Sequence, residues 1–572
     1  MDRITQSLLA EFSGEHAIDA LPEDQRFEHF TSYVTVRRHY GETFDSGDIV
    51  IGNGGDTGID AIAVIVNGTL ITNIEAFEDL NENSGNLDVM FIFVQADRGL
   101  SFETAKIGQF LYGVQDFFKP QPTLPRNQAV SDAAALMAAV YAQGSKFKRT
   151  NPTCRLYYVT TGRWTGEAAL EARRQAAITD LESTQLFGEV EFSCLGAGDI
   201  QRLYSQTRNA ISREFLFSSR VEIPEMPGVA EAYLGHIPAS QFLSIIRDEG
   251  GEIIPSIFYD NVRDWQDYNP VNTEMRSTLE TDKRARFVLM NNGITIIART
   301  LQHTASRFQI EDFQIVNGCQ TSHVIFDNRD LVNDTVSIPL RLIATQDEGV
   351  IEDIIRSTNR QTEVKSEQFF AVTEFAKRLE IFFQSFPNPQ NLFYERRSRQ
   401  YDRLPVEKTR IVTPTNLIRA FAAMFLGEPH QTTRSYRLLA RRVGTDIFAE
   451  SHRLEPYYVA AFALYRLEYL FRNYRLTTVF KLARFQLLLA ARLLMNPSPL
   501  PMMNAREMER YCQRIAERLA DPDEAETLFF QAAEAVTTCV DGAYDRDTIH
   551  TQPFTEKVIQ ACAAMNATAA GG

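Results

Sequence analysis

The chain has 572 residues, 44% of them hydrophobic and 23% charged, with a formal net charge of −16. That length exceeds one hydrophobic core and predicts about two to four domains, while the net charge excludes a surface coated for indiscriminate duplex binding, because duplex affinity rests largely on neutralised phosphates. Six scattered cysteines without a CxxC pair predict reduced thiols and no zinc site; with no apolar run near the roughly 18 residues of a membrane span, and no signal-peptide layout in MDRITQSLLAEFSGEHAID, a cytoplasmic protein with no membrane partner is expected.

The first predicted helix covers 22–40 (PEDQRFEHFTSYVTVRRHY) and carries Glu28, a candidate upstream acid or an ordinary surface glutamate. The glycines Gly52, Gly54, Gly55 and Gly58 lack the Lys-Ser/Thr and following helix of a phosphate-binding loop and read as a turn. Next, GIDAIAV (58–64) and FIFVQAD (91–97) read as buried strands in a sheet covered on both faces. Side chains alternate across a strand, so Gln95 and Asp97 face the same way. Asp60 and Gln95 then resemble the two halves of a metal-dependent nuclease site, in which carboxylate and amide oxygens hold Mg²⁺ or Mn²⁺ to activate water and stabilise charge on a phosphate.

Such sites carry a lysine two residues beyond the second ligand, and here that position is Asp97. An aspartate can add a metal ligand but no positive charge. The helix predicted over 101–118 has an apolar stripe through Phe102, Phe110, Val114 and Phe117, and beside it lies Lys106, the first lysine of the chain. The expected site therefore places Asp60, Gln95 and Asp97 at the metal, Lys106 near the attacking water and Glu28 upstream. The alternative for Lys106 is a stem laid along the sheet with its ammonium in water. Arg98 is a weaker substitute, since a guanidinium hardly deprotonates.

Beyond this site the pattern predicts a helix over 130–143, a strand at 155–160, a helix at 166–183, a strand at 188–194 and a helix near 198–208. Alternating strands and helices give residues 1–220 an α/β fold, expected to be restriction-endonuclease-like. IPEMPG (223–228) reads as a linker into a mixed α+β domain over 221–430. Strand-like runs are expected there at 286–299, 311–316 and 337–344, and helices at 348–358 and 366–385. Residues 431–572 read as all-α, and arginines break any membrane reading of the apolar run 455–495. Its stripes predict helix packing or a homodimer interface.

The middle domain concentrates amides in NVRDWQDYNPVN (261–272), MNNGITIIA (290–298), IVNGCQTSHVIF (315–326) and STNRQTEV (357–364). Asn-Gly pairs mark turns. Four such clusters beside strands or helix ends suggest loops gathering at one surface, where Arg263, Asn292, Asn317, Gln320, Asn359 and Arg360 would meet a nucleotide or nucleic acid through donors and acceptors. Equally, Asn292, Asn317 and Gln320 can satisfy backbone groups at tight turns. The stretch YERRSRQYDRLPVEKTR (394–410) adds Arg396 and Arg397 with interleaved tyrosines, either a nucleic-acid grip or a salt-bridged face.

The succession NVRDWQ, NNGIT, IVNGCQTS, TNRQ and YERR resembles the abortive infection phage resistance (AIPR) family, over about residues 220–430. GIDAIAV with FIFVQA is similar to the PD-(D/E)xK-like nuclease region that precedes this domain in relatives, where the strand reads Q-x-K; Asp97 departs from that pattern. The resemblance implies antiphage defence through nucleic-acid damage, with the AIPR domain as sensor or regulator and a phage-derived trigger or a partner defence protein upstream. It also leaves open an inactive nuclease fold that binds nucleic acid or a nucleotide.

Overall fold

The computed structural model describes all residues except 42–43, 53–57, 148–150, 209–210, 249–250, 252, 259–269, 333–334, 360–372, 397–399, 402–403, 405, 435, 541, 543 and 572. Among the described residues two large sheets and then a helical assembly follow one another along the chain, with a two-stranded sheet of Phe393–Tyr394 and Ile411–Val412 in the last part. The architecture is thus mixed α/β in its first and middle parts and helical towards its end.

Strands β1 (Ala61–Val66), β2 (Thr69–Ile71), β3 (Val89–Asp97), β4 (Thr153–Thr160) and β5 (Glu189–Leu195) form the first sheet in the order β2-β1-β3-β4-β5. β1 runs antiparallel to β3, while β3, β4 and β5 are mutually parallel. Both faces of this sheet are buried, which is why its central strands read as unbroken apolar runs. On one face Ile62, Val64, Phe91 and Phe93 pack against Ile107, Phe110 and Val114 of a helix over Thr104–Phe117. On the other, Ala61, Ala63, Ile92 and Val94 pack against Phe27, Phe30 and Val34 of the helix Glu23–Arg37.

The second sheet has the order β6-β10-β9-β11-β8-β7, built from β6 (Ser212–Leu216), β7 (Ser219–Glu222), β8 (Glu231–Pro238), β9 (Ile294–Thr304), β10 (Arg307–Asn317) and β11 (Ser337–Ala344). All its pairings are antiparallel except β9 with β11. IPEMPG is not a linker between domains. β7 and β8 pair from Ser219↔His236 to Glu222↔Tyr233, so these residues form the connection of a hairpin, where Pro and Gly serve as turn formers. The run 286–299 also differs from expectation: Phe287–Met290 is a helical turn that ends at the extended Asn291, and the strand begins only after Gly293, which takes a φ of +82°.

From Phe375 to Cys562 a single apolar core unites the remaining helices, among them Glu374–Gln384, Glu455–Arg472, Arg484–Met495 and Pro522–Thr537. Among the described residues no helix is long and apolar enough to cross a membrane. Several arginines within 455–495 turn inward to partners: Arg492 donates to the Tyr511 hydroxyl at 3.1 Å. Arg472 grips Asp45 with Nε to Oδ1 at 3.1 Å and Nη2 to Oδ2 at 2.5 Å, joining the helical assembly to the segment that leads into β1. Lys481 donates to Gly47 O at 2.6 Å, and Arg484 reaches Asp48 and Glu468 at 3.4 Å each. Burial pushes the Asp45 carboxyl up, but the Arg472 guanidinium overrides it and holds the group well below the usual carboxylate range.

His16 and His29 are buried beside this junction. Burial depresses their imidazoles from 6.5 to about 3 and about 4, against a smaller upward pull from Asp45. Below pH 6.5 the unfolded chain binds protons that the folded chain refuses, so their contribution is complete above pH 6.5 and declines as pH falls towards 4. Thermal unfolding should therefore show a lower midpoint at pH 5 than at pH 7, and His29→Gln should flatten that dependence. An unchanged slope in the variant would show that His29 is not one of the groups responsible.

Candidate functional site

Asp60 enters β1 at the edge of the first sheet where β3, β4 and β5 end. Its backbone N–H donates to Val94 O at 2.9 Å, and its carboxylate Oδ2 accepts the Ala96 N–H at 2.6 Å. The residue thus bonds to the positions on either side of Gln95. Asp60 is buried, 8% exposed. A charge-assisted bond of this kind contributes roughly 1.5–3 kcal/mol, enough to fix where β1 starts against β3. Gln95 and Asp97 follow Phe91 and Phe93 on the face covered by Thr104–Phe117, as alternation requires. Among the described residues the side-chain Oε1 of Gln95 is buried with no hydrogen-bond partner, and its Nε2 makes a 3.4 Å contact to Ala96 O.

Lys106 projects from the covering helix onto position 97. Its Nζ donates to Asp97 Oδ2 at 2.8 Å and lies 3.3 Å from Glu103 Oε1. The Tyr158 hydroxyl, in register with Gln95 on β4, also donates to Asp97 Oδ2 at 3.2 Å, and the Gly99 N–H to Oδ1 at 2.9 Å. Burial pushes the Asp97 carboxyl up, but the Lys106 ammonium and the Gly99 and Tyr158 donors overcome it and hold the group below its ordinary value. The Asp97 contact raises the Lys106 ammonium in turn. Tyr158 carried no signal in the sequence, because cross-strand register is not visible there.

Glu28 lies on the helix covering the opposite face, with its charge near the hydroxyl of the half-buried Tyr474, which desolvation pushes up to about 12. No cluster of three or more His, Cys, Asp or Glu side chains among the described residues could hold a metal. Both Asp97 oxygens are already engaged, which leaves it poorly suited as a ligand. Asp60 and Gln95 nevertheless match what Mg²⁺ asks of a protein, one or two oxygens with water and substrate phosphate completing the octahedron. The orphaned Gln95 Oε1 is the atom that fits such an ion.

In the second sheet two glycines bring the amide-rich loops into contact. A Cβ on Gly318, at φ +101°, would sit 2.7 Å from Ile294 Cγ1 and 3.1 Å from Gly293 O, so only glycine lets the turn after β10 pass the start of β9. Around them Asn291 Nδ2 donates to Thr321 Oγ1 at 3.0 Å, Asn272 Nδ2 to Gln320 Oε1 at 2.6 Å, and Asn317 Nδ2 to Thr358 O at 2.9 Å. Of the residues expected there, Gln320 is held by Asn272 and Asn317 by the Thr358 carbonyl, while the Asn291–Thr321 pair was not singled out from the sequence. Asn292 is exposed beside them. Arg263 and Arg360 lie outside the described residues, as does Arg397, and Asn359 is described only as the end of the helix Glu348–Asn359.

Residues 258–479 match the family model described as AIPR protein. The match supports the AIPR family for the middle of the chain. It takes in β9 to β11 and runs into the helical assembly past Arg472, which meets Asp45. No curated protein and no solved structure matches the chain. Within the AIPR-matched stretch two described arginines of the basic segment 394–410 are tied down: Arg396 Nε donates to Glu380 Oε2 at 2.5 Å, and Arg410 Nε to Glu407 Oε2 at 2.7 Å. Arg396 is 9% exposed in its side chain and is positioned to hold the fold rather than to meet a phosphate.

Lys106→Ala removes the charge that offsets burial at Asp97. The Asp97 carboxyl should then titrate at higher pH than in the parent, measurable by carbon-detected NMR of labelled aspartate. No upward movement would mean that the backbone and Tyr158 donors alone set its acidity.

Proposed function

We propose that this chain is a metal-dependent phosphodiesterase that cuts DNA or RNA in abortive infection against phage. The AIPR match suggests the antiphage setting. One observation supports the chemistry: Gln95 Oε1 is buried without a partner at the strand end that Asp60 brackets through residues 94 and 96. An unmet buried acceptor costs roughly 1–3 kcal/mol, a cost that a bound cation relieves. The PD-(D/E)xK-like reading of the first sheet rests on the same pair, with helices covering both faces and Asp60 and Gln95 on adjacent strand ends.

In this reading Asp60 and Gln95 hold Mg²⁺ or Mn²⁺, which supplies an activated water and Lewis acidity at the phosphate. Lys106 brings a positive charge to the place where relatives carry the lysine of Q-x-K, and Asp97 with Tyr158 holds that ammonium. A substrate phosphate must compete with Asp97 for it. The amide cluster of the AIPR-matched stretch serves as the sensor of nucleic acid or nucleotide, under a phage-derived trigger or a partner defence protein, and a homodimer would pair two sites on a duplex. The closed Asp97–Lys106 contact favours a second reading, an inactive nuclease fold that binds nucleic acid.

Incubation of the purified protein with plasmid, single-stranded DNA and RNA, with Mg²⁺ or Mn²⁺ and then with a chelator, separates the two readings. Metal-dependent cleavage is expected, reduced about 10²-fold or more in Asp60→Asn and lowered in Lys106→Ala. Cleavage that persists in Asp60→Asn removes Asp60 from the site. Retention of nucleic acid without cleavage of any substrate establishes the binding reading instead.

A further inference from the structure

We propose that the crevice beyond the carboxyl ends of β4 and β5 is a subsite for one nucleotide of a nucleic-acid strand, with the base stacked on Trp164 and the phosphate paired with Arg163. The substrate assignment deepens the phosphodiesterase reading and rests on it. Because β3, β4 and β5 are parallel, their carboxyl ends open on a single edge. The crevice encloses about 620 Å³, within the roughly 300–1,000 Å³ of small-molecule sites. Thr161, Gly162, Arg163 and Trp164 line one side and Gly196 and Gly198 the other.

Close backbone packing shapes the floor. Ala197 N–H donates to Gly162 O at 2.9 Å, and a Cβ on Gly196 would lie 2.4 Å from that oxygen. Above it the space is open, since a Cβ on Gly198 would meet nothing within 4 Å. The two acids that border the crevice are committed: Asp2 Oδ1 accepts the Ile4 and Thr5 N–H groups, and Asp199 Oδ2 accepts the Gly196 N–H at 3.0 Å while its Oδ1 meets Arg202 at 3.4 Å. Arg163, by contrast, is exposed and makes no hydrogen bond or ion pair among the described residues.

The crevice is also joined to the Asp97 corner. Trp164 stands edge-on to Phe102 with ring centroids 4.9 Å apart, Phe102 is 6.1 Å from Tyr158, and the Tyr158 hydroxyl donates to Asp97. The Thr161 N–H donates to Gly99 O at 3.1 Å, so the loop after β3 is fixed to the wall. An aromatic platform beside an uncommitted guanidinium reads a base face and a phosphate without regard to sequence. A strand threaded there would present a neighbouring phosphodiester to Asp60, Gln95 and Lys106.

The chain holds two tryptophans, so Trp265→Phe leaves Trp164 as the sole fluorescent reporter in the full-length protein. In chelator, five-nucleotide oligothymidylate should quench its emission, and more tightly than thymidine monophosphate. Arg163→Ala should raise the Kd about tenfold or more, the loss of one charge-assisted contact, and Gly198→Leu, which grows into open space, should abolish quenching with the unfolding midpoint unchanged. Equal affinity for the mononucleotide would overturn the strand assignment. Absent quenching, or quenching that survives both variants, would overturn the subsite. Asp60→Asn should still bind, which separates this proposal from the cleavage reading: a protein that cuts normally with Arg163→Ala and Gly198→Leu retains the chemistry and loses the subsite.

Discussion

The hydrogen bond from the Ala96 N–H to Asp60 Oδ2 sets the geometry of the first sheet's working edge. It fixes the start of β1 against the end of β3, and with it the relation of Asp60 to Gln95 and Asp97. Everything proposed for this edge depends on that placement. The covering helix then needs only to present Lys106 at position 97, and the parallel run of β3, β4 and β5 opens the adjoining crevice on the same side. One buried carboxylate thus organises a strand start, an ion-pair corner and a cleft.

A second constraint links this edge to the rest of the molecule. The segment that pairs with the start of β1 through Ile51 N–H to Asp60 O and Ile62 N–H to Ile49 O is the same one held by Arg472, Lys481 and Arg484. Arg472 is 4% exposed, so its guanidinium is desolvated and depends on Asp45. Removing one partner of such a pair strands the other charge, which costs far more than the intact pair contributes. The end of the AIPR-matched stretch therefore bears directly on the segment beside Asp60.

Much of the first sheet was legible because its signals are local. FIFVQAD is apolar until its last three residues, and GIDAIAV places one acid before a buried run, so Asp60 and Gln95 stand out without knowledge of the fold. The approach of Lys106 was also accessible, since a helix directly after a strand must pack back on it. Contacts across the chain were not: nothing near Asp45 announces Arg472, and Tyr158 becomes relevant only through register. IPEMPG misled because Pro and Gly mark hairpin turns and linkers alike. In the second sheet the gathering of amides was visible in composition, but Asn291 rather than Asn292 turned inward, a difference that only the φ of Gly293 and the packing of Gly318 decide.

Whether Asp60 and Gln95 form a cation site at the strand edge is decided by calorimetric titration of Mn²⁺ into chelator-stripped protein, without substrate. Saturable binding is expected, lost in Asp60→Asn and weakened in Gln95→Leu, with the Lys106→Ala variant binding at least as well as the parent. Binding that both Asp60→Asn and Gln95→Leu leave unchanged, or none at all in the folded parent protein, would contradict that site.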